Sequence, residues 1–261
     1  MKIKRAQLTL FVIVSIIIVV AVVGYFVFRD SIVGTQYDES ISTLKENLLF
    51  CFVSNYENSL ETVGFQGGYF QRPSSEYIDS GLLFVPYYYN QGEFYFPELS
   101  EVEIEIEKAA ESMIGTCVDY YFERDSRFNL DYEDYSVSVK INEGSVVFTT
   151  EMKVNVNSEN HSVILDMGDA SVNIPSNLKS IYELNTLIIG KIKDDSEEWI
   201  ELTEINEFAR ENNLDVDIIG VEDDQVSYLF VIKTKEEKVY PSTFQFLNKY
   251  KLEKVYFPTG F

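Results

Sequence analysis

The sequence is poor in histidine, the side chain that most often carries out acid–base catalysis. The chain contains one histidine, His161, so a His-based triad or a His-ligated metal would have to use it. Ser176 and Lys179 match the Ser-x-x-Lys pattern of penicillin-binding proteins. The partner motifs of that family are missing, however, and Ser176 is explained as a helix cap. The sequence therefore predicts no catalytic residue and a protein that is not an enzyme.

Carboxylates are the only abundant reactive groups. They form four clusters along the chain: Asp131/Glu133/Asp134, Asp194/Asp195/Glu197/Glu198, Asp215/Asp217 and Glu222/Asp223/Asp224. Paired carboxylates can hydrolyse glycosides, and oxygen clusters can hold calcium. None of the clusters has the Asp/Asn and Gly spacing of an EF-hand loop, and in so acidic a chain they are expected on solvated turns. We predict no metal ligand and no cofactor, with calcium binding and a carboxylate enzyme as alternatives.

The N-terminus carries a long uncharged segment. Leu8 to Phe28 is a run of 21 residues without a charge. As a helix it would be about 31 Å long, enough for a bilayer core of about 30 Å. A secretory signal has a shorter apolar region and ends at a small-x-small site, which Val22-Val23-Gly24 matches poorly. We therefore expect a retained transmembrane helix, with a cleaved signal peptide and a buried soluble helix as alternatives.

Flanking charges predict the orientation of this helix. Three basic residues lie within positions 2–5, whereas Arg29 is followed at once by Asp30. Because the basic flank of a membrane helix usually stays inside, the N-terminus should be cytoplasmic. We expect a single-pass protein of the cell membrane with residues 30–261 outside. The Asn160 sequon then lies where glycosylation can occur.

The exterior part is strongly acidic. Residues 1–29 hold four of the 21 Lys and Arg and none of the 43 Asp and Glu, so residues 30–261 carry a formal charge of −26. Such a charge excludes nucleic-acid binding and favours cations and basic partners. Because 46% of the residues are hydrophobic and 15% aromatic, the exterior part is nevertheless expected to fold.

Two cysteines, Cys51 and Cys117, lie on the exterior side of the predicted anchor. Thiols are usually oxidised there, and two cysteines allow one intramolecular bridge. We predict a disulfide between them, with two free buried thiols as the alternative.

Two amphipathic helices carry these cysteines. Apolar residues recur at three- and four-residue steps over residues 38–63 and again over about 100–122. Ser100 and Glu103 are predicted to form the capping box of the second helix. The cysteines lie at the edge and on the apolar face of their helices, which favours two helices joined by the disulfide.

An aromatic hairpin is predicted between the two helices, over residues 81–97. Its arms surround Asn90-Gln91-Gly92. Neighbouring side chains on a strand face opposite sides, so the rings cannot all point inwards. We predict an interaction surface formed by Tyr87, Tyr88, Tyr89, Phe94 and Tyr95, with a hairpin lying flat on the domain as the alternative.

From residue 134 the apolar pattern changes to alternation, which is typical of strands. The predicted strands are residues 135–141, 145–156, 161–174, 216–221, 226–233 and 242–250. The first three form a meander, and helices separate them from the last three. The fold class is therefore α+β, with a mostly antiparallel sheet packed by helices. We divide the chain into an anchor (1–29), a helical membrane-proximal part (30–133) and an α+β part (134–261).

The segment Lys4-Arg5-Ala6-Gln7-Leu8-Thr9-Leu10-Phe11 resembles the signal segments of archaeal type IV pilin-like proteins. The resemblance implies cleavage between Ala6 and Gln7 and a helix that packs in a filament core. Phe11 stands at the fifth mature position, where such subunits commonly carry Glu.

Five further features are shared with another group: the KRAQLTLF opening, a Cys-bearing helix before GFQGGY, the VPYYY stretch, a second Cys-bearing helix and the FQFLNKY strand. Through them the whole chain is similar to membrane-anchored surface proteins of small-genome archaea. The similarity implies a surface location and supplies no activity. We expect a non-catalytic surface protein acting in interaction or adhesion through a protein partner or self-association. A pilin-like filament subunit and an extracytoplasmic carboxylate enzyme are the alternatives.

Overall fold

The computed structural model describes a defined part of the chain: residues 40–79, 81, 83–124, 128–158, 161–168, 171–194, 202–221 and 226–251. The predicted anchor lies outside these residues. Among the described helices, none is both long and apolar enough to cross a bilayer. The chain divides into two compact units, Met1–Leu49 and Phe50–Phe261. In the first unit the described residues, 40–49, are helical.

Helices form where the sequence shows a three- to four-residue apolar period. The described residues contain four of them: α1 (40–65), α2 (Leu99–Arg124), α3 (Leu178–Asp194) and α4 (Leu202–Glu211). The first two confirm the predicted amphipathic helices. The predicted cap of α3 is also confirmed, because the N–H of Leu178 donates to Ser176 Oγ over 3.1 Å.

The start of α2 differs from the prediction. The N–H of Glu98 donates to the Glu101 carboxylate over 2.8 Å, and the N–H of Val102 donates to the Glu98 carbonyl. Glu98 is therefore the first capping residue, two positions before Ser100. The predicted box of Ser100 and Glu103 is wrong, because the helix begins one residue earlier and Glu103 bonds elsewhere.

The predicted meander is present as three antiparallel arms. The first arm contains β4 (Asn129–Tyr132) and β5 (Ser136–Asn142), the central arm β6 (Ser145–Glu151) and β7 (Lys153–Asn157), and the third arm β8 (Ser162–Asp166) and β9 (Ser171–Pro175). Strands β4, β7 and β8 form one three-stranded sheet, and β5, β6 and β9 form another. The central arm alternates buried and outward residues throughout, so one face of the meander packs inwards.

Extra residues in the outer arms separate these two sheets. Lys153 pairs with Asp166, and Thr149 pairs with Ser171. Between these two pairs the central arm advances by four residues and the third arm by five. The third arm therefore contains one extra residue, which is the register change of a β-bulge. The central arm keeps its alternation, whereas the outer arms bend.

A third, larger sheet contains the remaining strands: β1 (Tyr77–Asp79), β2 (Phe84–Asn90), β3 (Glu93–Phe94), β10 (Leu214–Gly220), β11 (Ser227–Thr234) and β12 (Thr243–Lys249). Its order is β1-β2-β12-β11-β10, with β3 on β2, and only the β2–β12 pair is parallel. This confirms an α+β fold with mostly antiparallel sheets. The sheet joins strands from both predicted exterior parts, 30–133 and 134–261.

Helix α1 contacts both the meander and the larger sheet. The Tyr56 ring stacks on Phe148 with centroids 4.3 Å apart, and its hydroxyl hydrogen-bonds to Thr150. At the end of the helix, Gln245 of β12 donates to the Phe65 carbonyl over 2.8 Å. The core of the second unit is therefore organised around this helix.

The close approach of α1 to the chain before β12 gives a testable expectation. A Cβ at Gly64 would lie 2.5 Å from Pro241 Cβ and 2.7 Å from the Thr243 carbonyl oxygen. We expect Gly64→Ala to lower the free energy of unfolding by about 2 kcal/mol, because the helix end must move away. Gly190→Ala in α3 is the control, since nothing lies within 4 Å of its added Cβ. It should raise stability by about 0.8 kcal/mol. Equal urea midpoints for the two variants would contradict the contact.

Candidate interaction surfaces

The predicted aromatic surface does not exist as an exposed patch. Tyr87, Tyr88 and Tyr89 are 7%, 0% and 2% exposed. Phe94 and Tyr95 are half-buried. The prediction that these five rings form an interaction surface is therefore wrong for Tyr87, Tyr88 and Tyr89, which are buried in the fold.

Both faces of β2 are covered, which explains the burial of consecutive tyrosines. Tyr88 stacks on Phe246 at 4.4 Å, and its hydroxyl donates to the Gly67 carbonyl over 2.8 Å. The Tyr89 ring lies 5.6 Å from that of Tyr250. A strand covered on both sides can carry apolar residues at every position, unlike the half-exposed strand assumed from the sequence.

The predicted disulfide is confirmed. The Cα atoms of Cys51 and Cys117 are 5.9 Å apart and the two sulfurs are bonded. Next to the bond, the Asn55 amide donates to the Met113 carbonyl and to Cys117 Sγ, both over 3.0 Å. The bridge and the amide together fasten α1 to α2.

Three glutamates of α2 bond to the backbone of β5, the outer strand of its sheet. Oε1 of Glu103, Glu107 and Glu111 accepts the N–H of Ile141, Val139 and Val137 over 2.9, 2.9 and 3.0 Å. We call these three glutamates the carboxylate ladder. Their four-residue spacing along a helix matches the two-residue spacing of N–H groups along one edge of a strand. The ladder satisfies a strand edge that would otherwise be open.

A fourth glutamate of α2 holds the chain after α1. Both the Phe70 and Gln71 N–H groups donate to Glu105 Oε2 over 2.9 Å, and Lys108 lies 2.6 Å from Oε1. Burial by itself would raise the pKa of Glu105, but these donors outweigh it and lower the pKa below its ordinary value. Close by, burial together with Glu101 and Glu105 raises the pKa of Tyr69 to about 12.

The remaining carboxylate clusters that the structure describes do not converge on a site. Asp215 and Asp217 form ion pairs with Lys235 and Lys233 at 2.8 and 2.7 Å. In the cluster from Asp131 to Asp134, the three acidic side chains are exposed. Within the described ranges, no group of three His, Cys, Asp or Glu side chains is placed to hold a metal. Ala6, Gln7, Asn160 and the clusters at 195–198 and 222–224 lie outside those ranges.

The meander exposes a broad polar face that the sequence analysis did not single out. The outward positions of its three arms carry Asn129, Asp131, Ser138, Lys140, Asn142, Thr149, Lys153, Asn155, Asn157, Ser162, Asp166, Ser171 and Asn173. Ile164 is the one large apolar side chain among the exposed residues of this face, at 61% exposure. The face is typical of solvated sheet surfaces, and its small polar groups specify no ligand.

Strand β10 is the second surface that was missed. Among the described residues it pairs only with β11, and it carries Ile218 and Ile219, which are 38% and 51% exposed. An open groove of about 540 Å³ lies beside it, lined in part by Arg210 of α4. The strand was predicted at residues 216–221, but a sequence pattern does not distinguish an edge strand from a central one.

Comparison with known protein families, curated proteins and solved structures found no match to this chain. The functional conclusion therefore depends on the residues themselves.

Proposed function

We propose that the protein is a single-pass cell-surface protein, anchored by residues 8–28, whose exterior domain makes non-catalytic contacts with a protein partner. One observation carries the proposal: an uncharged run of 21 residues precedes a part with a formal charge of −26. The Cys51–Cys117 disulfide supports it, because such bonds persist mainly outside the cytosol.

The use of carboxylates also supports a non-catalytic role. The carboxylate ladder bonds to backbone N–H groups, and Asp215 and Asp217 pair with lysines. Groups engaged in this way stabilise the fold. They do not form the pair of separated, substrate-facing carboxyls that glycoside hydrolysis needs.

Membrane topology tests the proposal. After protease treatment of intact cells, we expect loss of an epitope tag placed behind residue 251 and protection of a tag placed before residue 8. The protein should remain with the membrane after carbonate extraction. Release of the full chain by carbonate, or protection of the C-terminal tag in intact cells but not in permeabilised ones, would overturn the proposal.

A pilin-like filament subunit is the second candidate, favoured by the Lys4 to Phe11 segment. The mature N-terminus separates the two functions. Gln7 as the first residue supports the filament, because processing would free the helix for packing, whereas an intact Met1 supports the simple anchor. Mass spectrometry of the purified N-terminal peptide makes the distinction.

A further inference from the structure

Among the described residues, the edge of β10 that faces away from β11 has no partner strand, and it presents regularly spaced hydrogen-bonding groups. The Val221 N–H donates to Ser227 and the Lys235 N–H donates to Asn213, over 3.0 and 3.1 Å. Odd-numbered residues of β10 therefore bond to β11. In an antiparallel ladder the even-numbered residues then point their N–H and C=O groups away from it. Val216, Ile218 and Gly220 accordingly offer donors and acceptors at the edge.

This edge lacks the features that usually prevent strand addition. It is seven residues long, contains no proline, and pairs with β11 without a register shift. Natural edge strands are commonly protected by unpaired charges, bulges or proline. Here the two acidic residues, Asp215 and Asp217, are already paired with lysines of the neighbouring strand, and two isoleucines are exposed.

Charge favours a second copy of the chain as the occupant. With a formal charge of −26 over residues 30–261, most surfaces of one copy repel another. At β10 the two aspartates and two lysines cancel, so an equally acidic copy can approach here. An open groove lies beside the first half of the strand, where Asp215 and Asp217 line it.

The sequence of β10 also selects one register. The outward N–H and C=O groups of the two β10 strands can bond to each other only when even-numbered residues of one copy lie opposite even-numbered residues of the other. A two-fold axis at Asp217 would place Asp217 opposite Asp217 of the other copy. An axis at Val216 would place Asp215 opposite Asp217. Both registers are excluded because like charges directly opposite each other are destabilising. The longest remaining pairing within the strand has its axis at Ile218, uses Val216–Gly220 and brings the two Ile218 side chains together.

We propose that the protein self-associates by antiparallel pairing of β10 with β10 of a second copy, about a two-fold axis at Ile218. The pairing extends the larger sheet continuously across the two copies. The pairing identifies the protein partner of the proposed function as a second copy of the chain. It rests on that function only in placing the dimer at a membrane.

Cross-linking of the full chain tests the register. In the paired copies the two Ile218 Cα atoms would be about 5.5 Å apart, within the range for a disulfide. Under mild oxidation in native membranes, we expect Ile218→Cys to give a dimer on a non-reducing gel that reductant returns to monomer. Ile164→Cys is the control, because it is more exposed but lies on β8. A dimer yield no greater than that of Ile164→Cys, or cross-linking to a different protein, would overturn the proposal.

A backbone substitution tests the hydrogen bonding. Gly220→Pro removes an outward N–H, whereas Gly220→Ala keeps it, and nothing lies within 4 Å of a Cβ added there. By symmetry the proline removes two donors per dimer. The dissociation constant of the proline variant's dimer should therefore be about tenfold higher than that of the alanine variant's dimer. Sedimentation equilibrium of the full chains in detergent measures this, with circular dichroism showing that both remain folded. Equal dimer affinity would contradict backbone pairing.

The two tests can fail independently of the proposed function. A protein that is correctly anchored but not cross-linked through Ile218→Cys retains the surface location and loses only the β10 dimer. Cross-linking by a protein that carbonate releases from the membrane would retain the dimer and overturn the anchor.

Discussion

Replacing Cys51 and Cys117 together by alanine should lower the free energy of unfolding by about 4 kcal/mol, the largest effect expected for a change in the second unit. The bond joins residues 66 positions apart. Removing it frees a long loop in the unfolded chain, which raises the entropy of that state. Urea denaturation of the full chain in detergent, followed by near-UV circular dichroism, measures the difference.

Reduction provides the matched control for this variant. Wild-type protein treated with dithiothreitol should unfold at the same urea concentration as the double variant, and dithiothreitol should not change the double variant. A loss below about 1 kcal/mol would show that α1 and α2 are held together by packing and by the Asn55–Met113 hydrogen bond, without a contribution from the covalent link.

Removing two members of the carboxylate ladder should have an effect of similar size. Glu107→Ala combined with Glu111→Ala leaves the Val139 and Val137 N–H groups without their acceptors, and both valines are buried. We expect a loss of about 2 kcal/mol for each change and about 4 kcal/mol for the pair, because a buried donor without a partner retains its full desolvation cost.

Two further variants define the origin of this loss. Glu107→Gln keeps an oxygen acceptor without the charge, so it should lose about half as much as Glu107→Ala. Glu123→Ala changes an exposed glutamate of the same helix and should stay within about 0.5 kcal/mol of the wild type. If Glu107→Ala behaved like Glu123→Ala, the strand edge would be solvated and the ladder would contribute nothing.

The sequence allowed the elements to be predicted because their signals are local. Three- and four-residue apolar steps located α1 and α2, and alternation located the meander. The disulfide was also predictable, since two cysteines on one side of the predicted anchor have one intramolecular pairing. These inferences required no knowledge of which element packs on which.

The errors arose where tertiary packing decides the outcome. Tyr87, Tyr88 and Tyr89 looked too apolar for one strand because the sequence does not show that both faces of β2 are covered. Likewise, the bonds from Glu103, Glu107 and Glu111 to β5 were not predicted, because nothing local in the sequence indicates that β5 brings its N–H groups alongside α2. The exposure of β10 depends on the strand order of the sheet, which a single sequence does not specify.

The parallel pairing of β2 with β12 has a consequence for the order of events during synthesis. It brings residues 84–90 beside residues 243–249, so the larger sheet cannot close until nearly all of the described chain has been made. The three arms of the meander are neighbours in sequence and can associate much earlier. Until β12 arrives, one edge of β2 is unpaired and Tyr88 lacks its stacking partner Phe246, and the growing chain is then most exposed to aggregation.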